Sequence, residues 1–137
     1  MPDINLHFDG ENDINNIPIL NLAYLGDSVY EVYVRTKLVS GMKYSPHDIH
    51  KASLEYVTAP KQAEALEKIM SHLTQEEISV YKRGRNAKVG SIPKNATTGQ
   101  YHTATGIETL FAYLFIKNEG GRISELFDII IGEDNGI

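Results

Sequence analysis

Cysteine is absent from the 137-residue chain, which excludes disulfides and thiolate metal sites. No apolar run approaches the roughly 20 residues that a membrane-spanning helix needs. The amino-terminal stretch MPDINLHFDGENDINN is acidic and polar, unlike a secretory signal or an arginine-rich transit peptide. Together these absences predict a cytoplasmic protein with no membrane partner. Walker-type and dinucleotide glycine motifs are missing too, so a nucleotide cofactor is not expected. The most informative absence is of acid. Between Glu77 and Glu108 there is no aspartate or glutamate, while Lys82, Arg83, Arg85, Lys88 and Lys94 all fall inside that window. The whole chain carries −5, so one purely basic segment sits on a body that otherwise repels polyanions. That segregation predicts either a local polyanion site or a plainly solvated loop, and charge alone leaves both open.

What is present reads as helix. An apolar fraction of 42% with 23% charged residues is ordinary for a single globular domain, here 1–137. Pro18 suits a first helical turn, and the apolar pattern runs to about Val39 before Gly41 stops it. Ser45, Pro46 and Asp48 predict an N-cap and a capping box with Asp in place of Glu. Pro60 opens a helix to about His72, and Thr74 with Glu77 forms a capping box for a helix to about Asn86. Gly, Pro, Asn and Thr then break the pattern and predict a flexible basic loop over 87–99. From about Gln100, Ile107, Leu110, Phe111, Leu114 and Phe115 recur at helical spacing. Gly120 and Gly121 are read as the end of that helix, and RISELFDIII as a short final one. Residues 1–16 are expected to be loosely ordered. With no strand-like alternation and no repeat, the fold class is all-α.

Two of these helices carry a carboxylate on an apolar line. In the first, Leu20, Ala23, Tyr24, Asp27, Tyr30 and Val34 stack together, and all but Asp27 are apolar or aromatic. In the later one, Ala104, Glu108, Phe111 and Phe115 share a line, with Glu108 at its border. A carboxylate among apolar neighbours needs a partner, a proton or a metal ion. One answer is an ion pair, joining Asp27 to Arg35 or a lysine and Glu108 to Lys117 or a helix end. The other is convergence of both acids on Mg²⁺, which takes one or two carboxylates and completes its shell with water and substrate phosphate.

LAYLGDSVYE resembles the signature helix of the ribonuclease III family, in which an aromatic-Leu-Gly-Asp-Ser core carries the catalytic aspartate. Here that core is Tyr24, Leu25, Gly26, Asp27 and Ser28. TATGIETLFAYLF is similar to the family's second acidic motif, whose closing glutamate falls on Glu108. HKASLEYVTAPKQAEAL and YKRGRNAKVGSIPKN resemble segments of the short members, the Mini-ribonuclease III group, which lack the usual double-stranded-RNA-binding domain. The resemblance implies a ribonuclease III-like helical endonuclease domain. It also implies a Mg²⁺-dependent endoribonuclease that cuts double-stranded RNA to 5′ phosphate and 3′ hydroxyl ends. Asp27 and Glu108 are then the catalytic, metal-holding pair, and in bacteria the substrate is the large-subunit (23S) ribosomal RNA precursor. Larger family members carry two further acids at the positions of Leu20 and Ala23 and another at Thr105, so the count of metal ions is left open.

The remaining residues sort around that expectation. Lys82, Arg83, Arg85, Asn86, Lys88 and Lys94 are expected on RNA, a grip on phosphates and 2′ hydroxyls suiting an A-form duplex that hides its base edges. Lys51 and Gln62 are further RNA candidates, their alternative being solvated helix faces. Tyr24 matches the aromatic that in the family helps hold the dimer, against ordinary core packing. One Asp27–Glu108 pair per chain also argues for a homodimer, each subunit cutting one strand. Gly26 costs helix stability and is expected to admit another backbone or a phosphate, tight helix packing serving equally. His47 and His50 lack a third ligand and read as polar surface. Tyr101 and His102 are expected either to touch a nucleotide or to pack against the base of the loop. A ribosomal protein that presents the substrate is a candidate partner. The rival readings are a non-catalytic ribonuclease III-fold module that binds RNA or the ribosome, and a helical interaction protein with no RNA.

Overall fold

Helix α5 (Thr98–Ile116) is the axis around which the chain is wound, and its composition explains why. Ala104 to Ile107 and Thr109 to Leu114 are all buried, so this helix is covered on every side rather than along one stripe. Its main packing partners are α1 (Ile19–Ser40), α4 (Gln75–Arg85) and α3 (Ala59–Ile69). Helix α2 (Pro46–Val57) bridges α1 and α3, and α6 (Gly120–Asn135) packs on α1, α3 and α5. The computed structural model describes residues 11–135, and among these there is no strand. Short 3₁₀ segments at Glu11–Asn16 and Met70–His72 complete the order. Ile14 is buried in the core, so the amino-terminal region expected to be loose is pinned at that point; residues 1–10 lie outside the described residues. No helix is long and apolar enough to cross a membrane among the described residues.

Aromatic rings lock three helices together. Tyr30 of α1 meets Phe111 of α5 edge-on at 5.4 Å and Phe127 of α6 at 4.8 Å, and Tyr33 stacks on Phe127 at 5.4 Å. Each such pair contributes about 1 kcal/mol beyond the burial of its rings. The two buried threonines of α5 are satisfied within the helix. Thr105 Oγ1 donates to the Tyr101 carbonyl at 3.0 Å and Thr109 Oγ1 to the Thr105 carbonyl at 2.7 Å. Helix α4 approaches α5 through paired glycines: a Cβ on Gly84 would lie 2.9 Å from Gly106 Cα, and one on Gly106 would lie 2.8 Å from the Tyr81 carbonyl oxygen. That contact sets the basic last turn of α4 close beside α5.

Helix ends differ from the sequence expectation in instructive ways. Gly41 keeps right-handed geometry, and it is Met42, at φ 53°, that takes the left-handed turn after α1. Gly120 and Gly121 do not end α5 but begin α6; Asn118, at φ 59°, supplies the reversal, the second residue type that tolerates it. At α2, Ser45 Oγ accepts from the Asp48 amide at 3.3 Å but donates to Asp48 Oδ2 at 3.2 Å, so the box is half formed. The Thr74–Glu77 box is complete, and Thr97–Gln100 makes a second complete one, starting α5 two residues earlier than its apolar pattern suggests.

Candidate active site

Gly26 decides where α1 crosses α5. A Cβ at this position would sit 1.7 Å from the Glu108 carbonyl oxygen and 2.9 Å from Glu108 Cα, a separation that no side chain survives. The uses expected for this glycine coincide here: another backbone, that of Glu108, approaches it closely through tight helix packing. The crossing places Asp27, the next residue on α1, against Glu108 on α5. The buried face of α1 runs through Leu22, Ala23, Gly26, Val29, Tyr30 and Tyr33. That face is rotated by about one position from the stripe read in the sequence, so Asp27 is exposed at its edge rather than set among apolar neighbours. Tyr24 is not core either, being 84% exposed.

Glu108 is the unusual group. It is largely buried, and burial, the charge of Asp27 and a hydrogen bond with Asp27 together push its pKa up to about 8. A buried carboxylate beside another carboxylate holds a proton because neither solvent nor a cation stabilises its charge. The ion pairs considered for these acids are not formed: Arg35 binds Glu31 at 2.7 Å, and the Lys117 ammonium lies over the Tyr113 ring at 5.3 Å. Gln62 on α3 is the one neighbour whose effect favours the charged form of Glu108. The amide lies within reach of Glu108, yet its buried Nε2 makes no hydrogen bond of full geometry. The Tyr30 hydroxyl is a second buried orphan, and it too feels the charge of Glu108.

Glu108 and Gln62 open onto a cleft of about 350 Å³. Thr58, Ala59 and Pro60 at the α2–α3 junction form one wall, and Pro93, Asn95 and Ala96 of the segment joining α4 to α5 form the other. Tyr101 lines this cleft; His102 does not, and its Nδ1 is buried and unpartnered. Exposed Lys94 lies between two of the wall residues. Lys82, Arg83 and Asn86 are brought together elsewhere, with Gln75 and Ser79, along a groove of about 340 Å³ on the outer face of α4. Arg85 lies over the Tyr81 ring at 5.7 Å and donates to Asn86 Oδ1 at 3.2 Å. Lys88 is exposed beyond the helix end. Lys51 belongs to neither group; it lines a separate cavity of about 650 Å³ with Lys61 and Lys68. Gln62 departs most from expectation. At 1% exposure it is not a solvated helix residue, although it belongs to the cleft lining beside Glu108. His47 and His50 are exposed, and no cluster of three or more potential metal ligands occurs among the described residues.

Residues 20–119 match the family model described as the ribonuclease III domain. Mini-ribonuclease 3 of Clostridium tetani is 38% identical over 122 residues, which cover 88% of this chain and 81% of the relative. Mini-ribonuclease 3 of Enterococcus faecalis is 40% identical over 128 residues, covering 90% and 97%. The crystal structure of a Fusobacterium nucleatum protein superimposes with a TM-score of 0.79 at 26% identity, over 89% of this chain and 98% of that one. The chain belongs to the ribonuclease III family, among its Mini-ribonuclease III members, and is an endoribonuclease. The positions at which larger ribonuclease III enzymes carry more acids are plainly non-ligating here. Leu20 is 43% exposed, Ala23 is 6% exposed within the core, and Thr105 is committed to its own helix. The structure brings together the two acids singled out in the sequence, and it adds Tyr30 and a buried Gln62 to their surroundings. Only the tertiary approach of α1 and α3 to Glu108 reveals those two, since neither breaks a helical pattern.

Proposed function

We propose that this chain is a Mg²⁺-dependent endoribonuclease of double-stranded RNA in which Asp27 and Glu108 hold the metal. The observation that carries the reading is the Gly26 crossing, which presses two acids together until one of them retains a proton near neutral pH. Such a pair fits a hard divalent ion, since two carboxylates are what Mg²⁺ usually takes from protein and the orphaned Gln62 donor awaits a charged acceptor. When bound, the ion supplies charge neutralisation and lowers the pKa of water, the chemistry that phosphodiester hydrolysis to 5′ phosphate and 3′ hydroxyl ends requires. Asp27, exposed to solvent beside Glu108, and the more buried Glu108 would hold the ion between them. The cleft wall with Lys94, and the α4 groove with Lys82, Arg83 and Asn86, offer donors to a duplex backbone, joined by Arg85 and Lys88.

The exposed apolar face of α1 at Leu20 and Tyr24 supports assembly as a two-fold homodimer, which sets one site against each strand of a duplex. The family resemblance supports a cytoplasmic role in maturing large-subunit (23S) ribosomal RNA precursor, with a ribosomal protein as a presenting partner. The test is incubation of the protein with structured ribosomal RNA precursor, with Mg²⁺ and with chelator. Discrete double-strand cuts that vanish with chelator are expected. RNA binding without cleavage in Mg²⁺ would instead identify a non-catalytic module.

A further inference from the structure

We propose that Gln62 is a positioning residue that holds the Glu108 carboxylate in its metal-binding orientation. The inference rests on the function proposed above, but its grounds are separate. Gln62 is a polar side chain almost wholly removed from water, at 1% exposure, on a helix that packs on α5. Its Nε2 has no hydrogen-bond partner, an arrangement that folded proteins rarely tolerate, because a buried donor left unmade forfeits its hydration without return. Glu108 lines the same cleft and is the group that this amide acts upon. A small turn of the Glu108 side chain would let one carboxylate oxygen accept from Nε2 while the other stays beside Asp27.

That arrangement explains why an amide is buried here at all. A glutamate on a helix has several rotatable bonds, and a fixed donor behind it removes the freedom that metal binding must otherwise restrain. Hydrogen bonds from behind a ligating carboxylate also orient it, and their loss typically weakens metal affinity about 10- to 100-fold. Gln62 would thus act on the metal only through Glu108, touching neither substrate nor ion.

The experiment is Mg²⁺ binding by calorimetry on the full chain without RNA, comparing wild type, Asp27→Asn and Gln62→Met, which keeps length and volume but removes the donor. Wild type should bind Mg²⁺ in a manner abolished by Asp27→Asn, and Gln62→Met should weaken that affinity about tenfold. The Mg²⁺ concentration for half-maximal cleavage should rise by the same factor. RNA affinity in chelator should stay unchanged, and the metal-free melting temperature should hold or rise. A parallel measurement needs no variant: the Gln62 side-chain amide resonances should shift and exchange more slowly with water when Mg²⁺ is added. Equal Mg²⁺ affinity in Gln62→Met, or an unmoved amide, would overturn the inference while leaving the function intact. A loss of RNA affinity in chelator would replace it with a substrate contact. A wild-type chain that binds no Mg²⁺ would overturn the function, and this inference with it.

Discussion

Glu77 on α4 and Glu108 on α5 are both withdrawn from water, and the protein treats them in opposite ways. Glu77, at 6% exposure, is gripped by Arg122, whose Nε and Nη2 donate to its two oxygens at 2.8 and 2.7 Å. Its Oε1 also accepts from the Thr74 amide at 2.9 Å, and Arg122 Nη2 donates onward to the His72 carbonyl at 2.6 Å. The Arg122 hydrogen bonds hold the Glu77 carboxyl below the usual range despite its burial. Glu108 has for its neighbours a second acid, an amide that makes no hydrogen bond of full geometry and a hydroxyl with no partner. The first charge is answered wholly from within the fold. The second meets no cation among the described residues and is answered by a proton. Burial alone therefore does not mark a functional carboxylate; the incompleteness of its surroundings does.

The sharpest way to break the comparison is at the acids themselves. Glu108→Gln and Asp27→Asn each remove one charge at nearly constant volume, and cleavage should fall about a thousandfold or more, the scale of losing a group that meets developing charge. The metal-free protein should be no less stable after Glu108→Gln, because Glu108 already holds a proton near neutral pH and glutamine keeps a donor beside Asp27. Single-turnover cleavage at saturating Mg²⁺, beside a thermal melt, reads both. Near-normal turnover in either variant would sink the metal assignment.

At the other glutamate the expected effect is on stability instead. Arg122→Met leaves the Glu77 charge buried with only the Thr74 amide, and losing one partner of a buried pair costs about 3 kcal/mol or more. Urea denaturation should show this as a lower midpoint, while cleavage by the folded fraction stays within about twofold, because removal of a remote ion pair leaves site geometry alone. The pair also has a pH signature. A folded pKa held low makes its stabilisation full above the ordinary carboxylate range and lost as pH falls through the folded value. Arg122→Met should abolish that acid-sensitive component.

The pH signature of Glu108 has the reverse sign. Raised from 4.5 to about 8, it keeps its proton in the folded state where the unfolded chain has lost it. Metal-free stability should therefore decline as pH climbs between those two values, and the Glu108→Gln variant should lack that decline. Mg²⁺ competes with the same proton. The concentration giving half-maximal cleavage should fall up to tenfold per pH unit below about 8 and then level off. A profile that is flat over this range would show that Glu108 is already ionised before the metal arrives.

The helices, and the two acids that α1 and α5 bring together, were legible from local features: caps at Thr74, a breaker at Pro60, and the Gly26-Asp27-Ser28 and Glu108 motifs. The contrast between Glu77 and Glu108 was not. Glu77 satisfies a capping box, and nothing in that motif discloses an arginine from α6 closing on it. Gln62 stands between Lys61 and Glu64 in a segment that reads as an ordinary amphipathic helix, and only the approach of α5 buries it. The face of α1 was misjudged by one position. Helical periodicity tolerates a rotation of that size, and Gly26, the residue that fixes the rotation, carries no hydropathy signal.

The smallest effects test the same contrast at two hydroxyls. Tyr113 donates to Glu76 Oε1 at 3.0 Å, beside the Glu77–Arg122 pair, whereas the Tyr30 hydroxyl is buried near Glu108 without a partner. Removing a made hydrogen bond and removing an unmade one should differ in sign. Tyr113→Phe should cost about 0.5–1 kcal/mol, the net value of one such bond to a partly solvated acid. Tyr30→Phe keeps the ring contacts with Phe111 and Phe127 and deletes only the stranded oxygen. It should be neutral or stabilising by up to about 1 kcal/mol. Paired denaturation curves at one pH resolve the difference, and Mg²⁺ should not change its sign. The alternative is a water drawn into the adjoining cavity, which Tyr30 lines with Lys51 and Tyr56. Such a water would complete the hydroxyl's bonding and make Tyr30→Phe the more costly of the two. That result would close one of the two open valences around Glu108 and leave Gln62 as the sole unmet donor there.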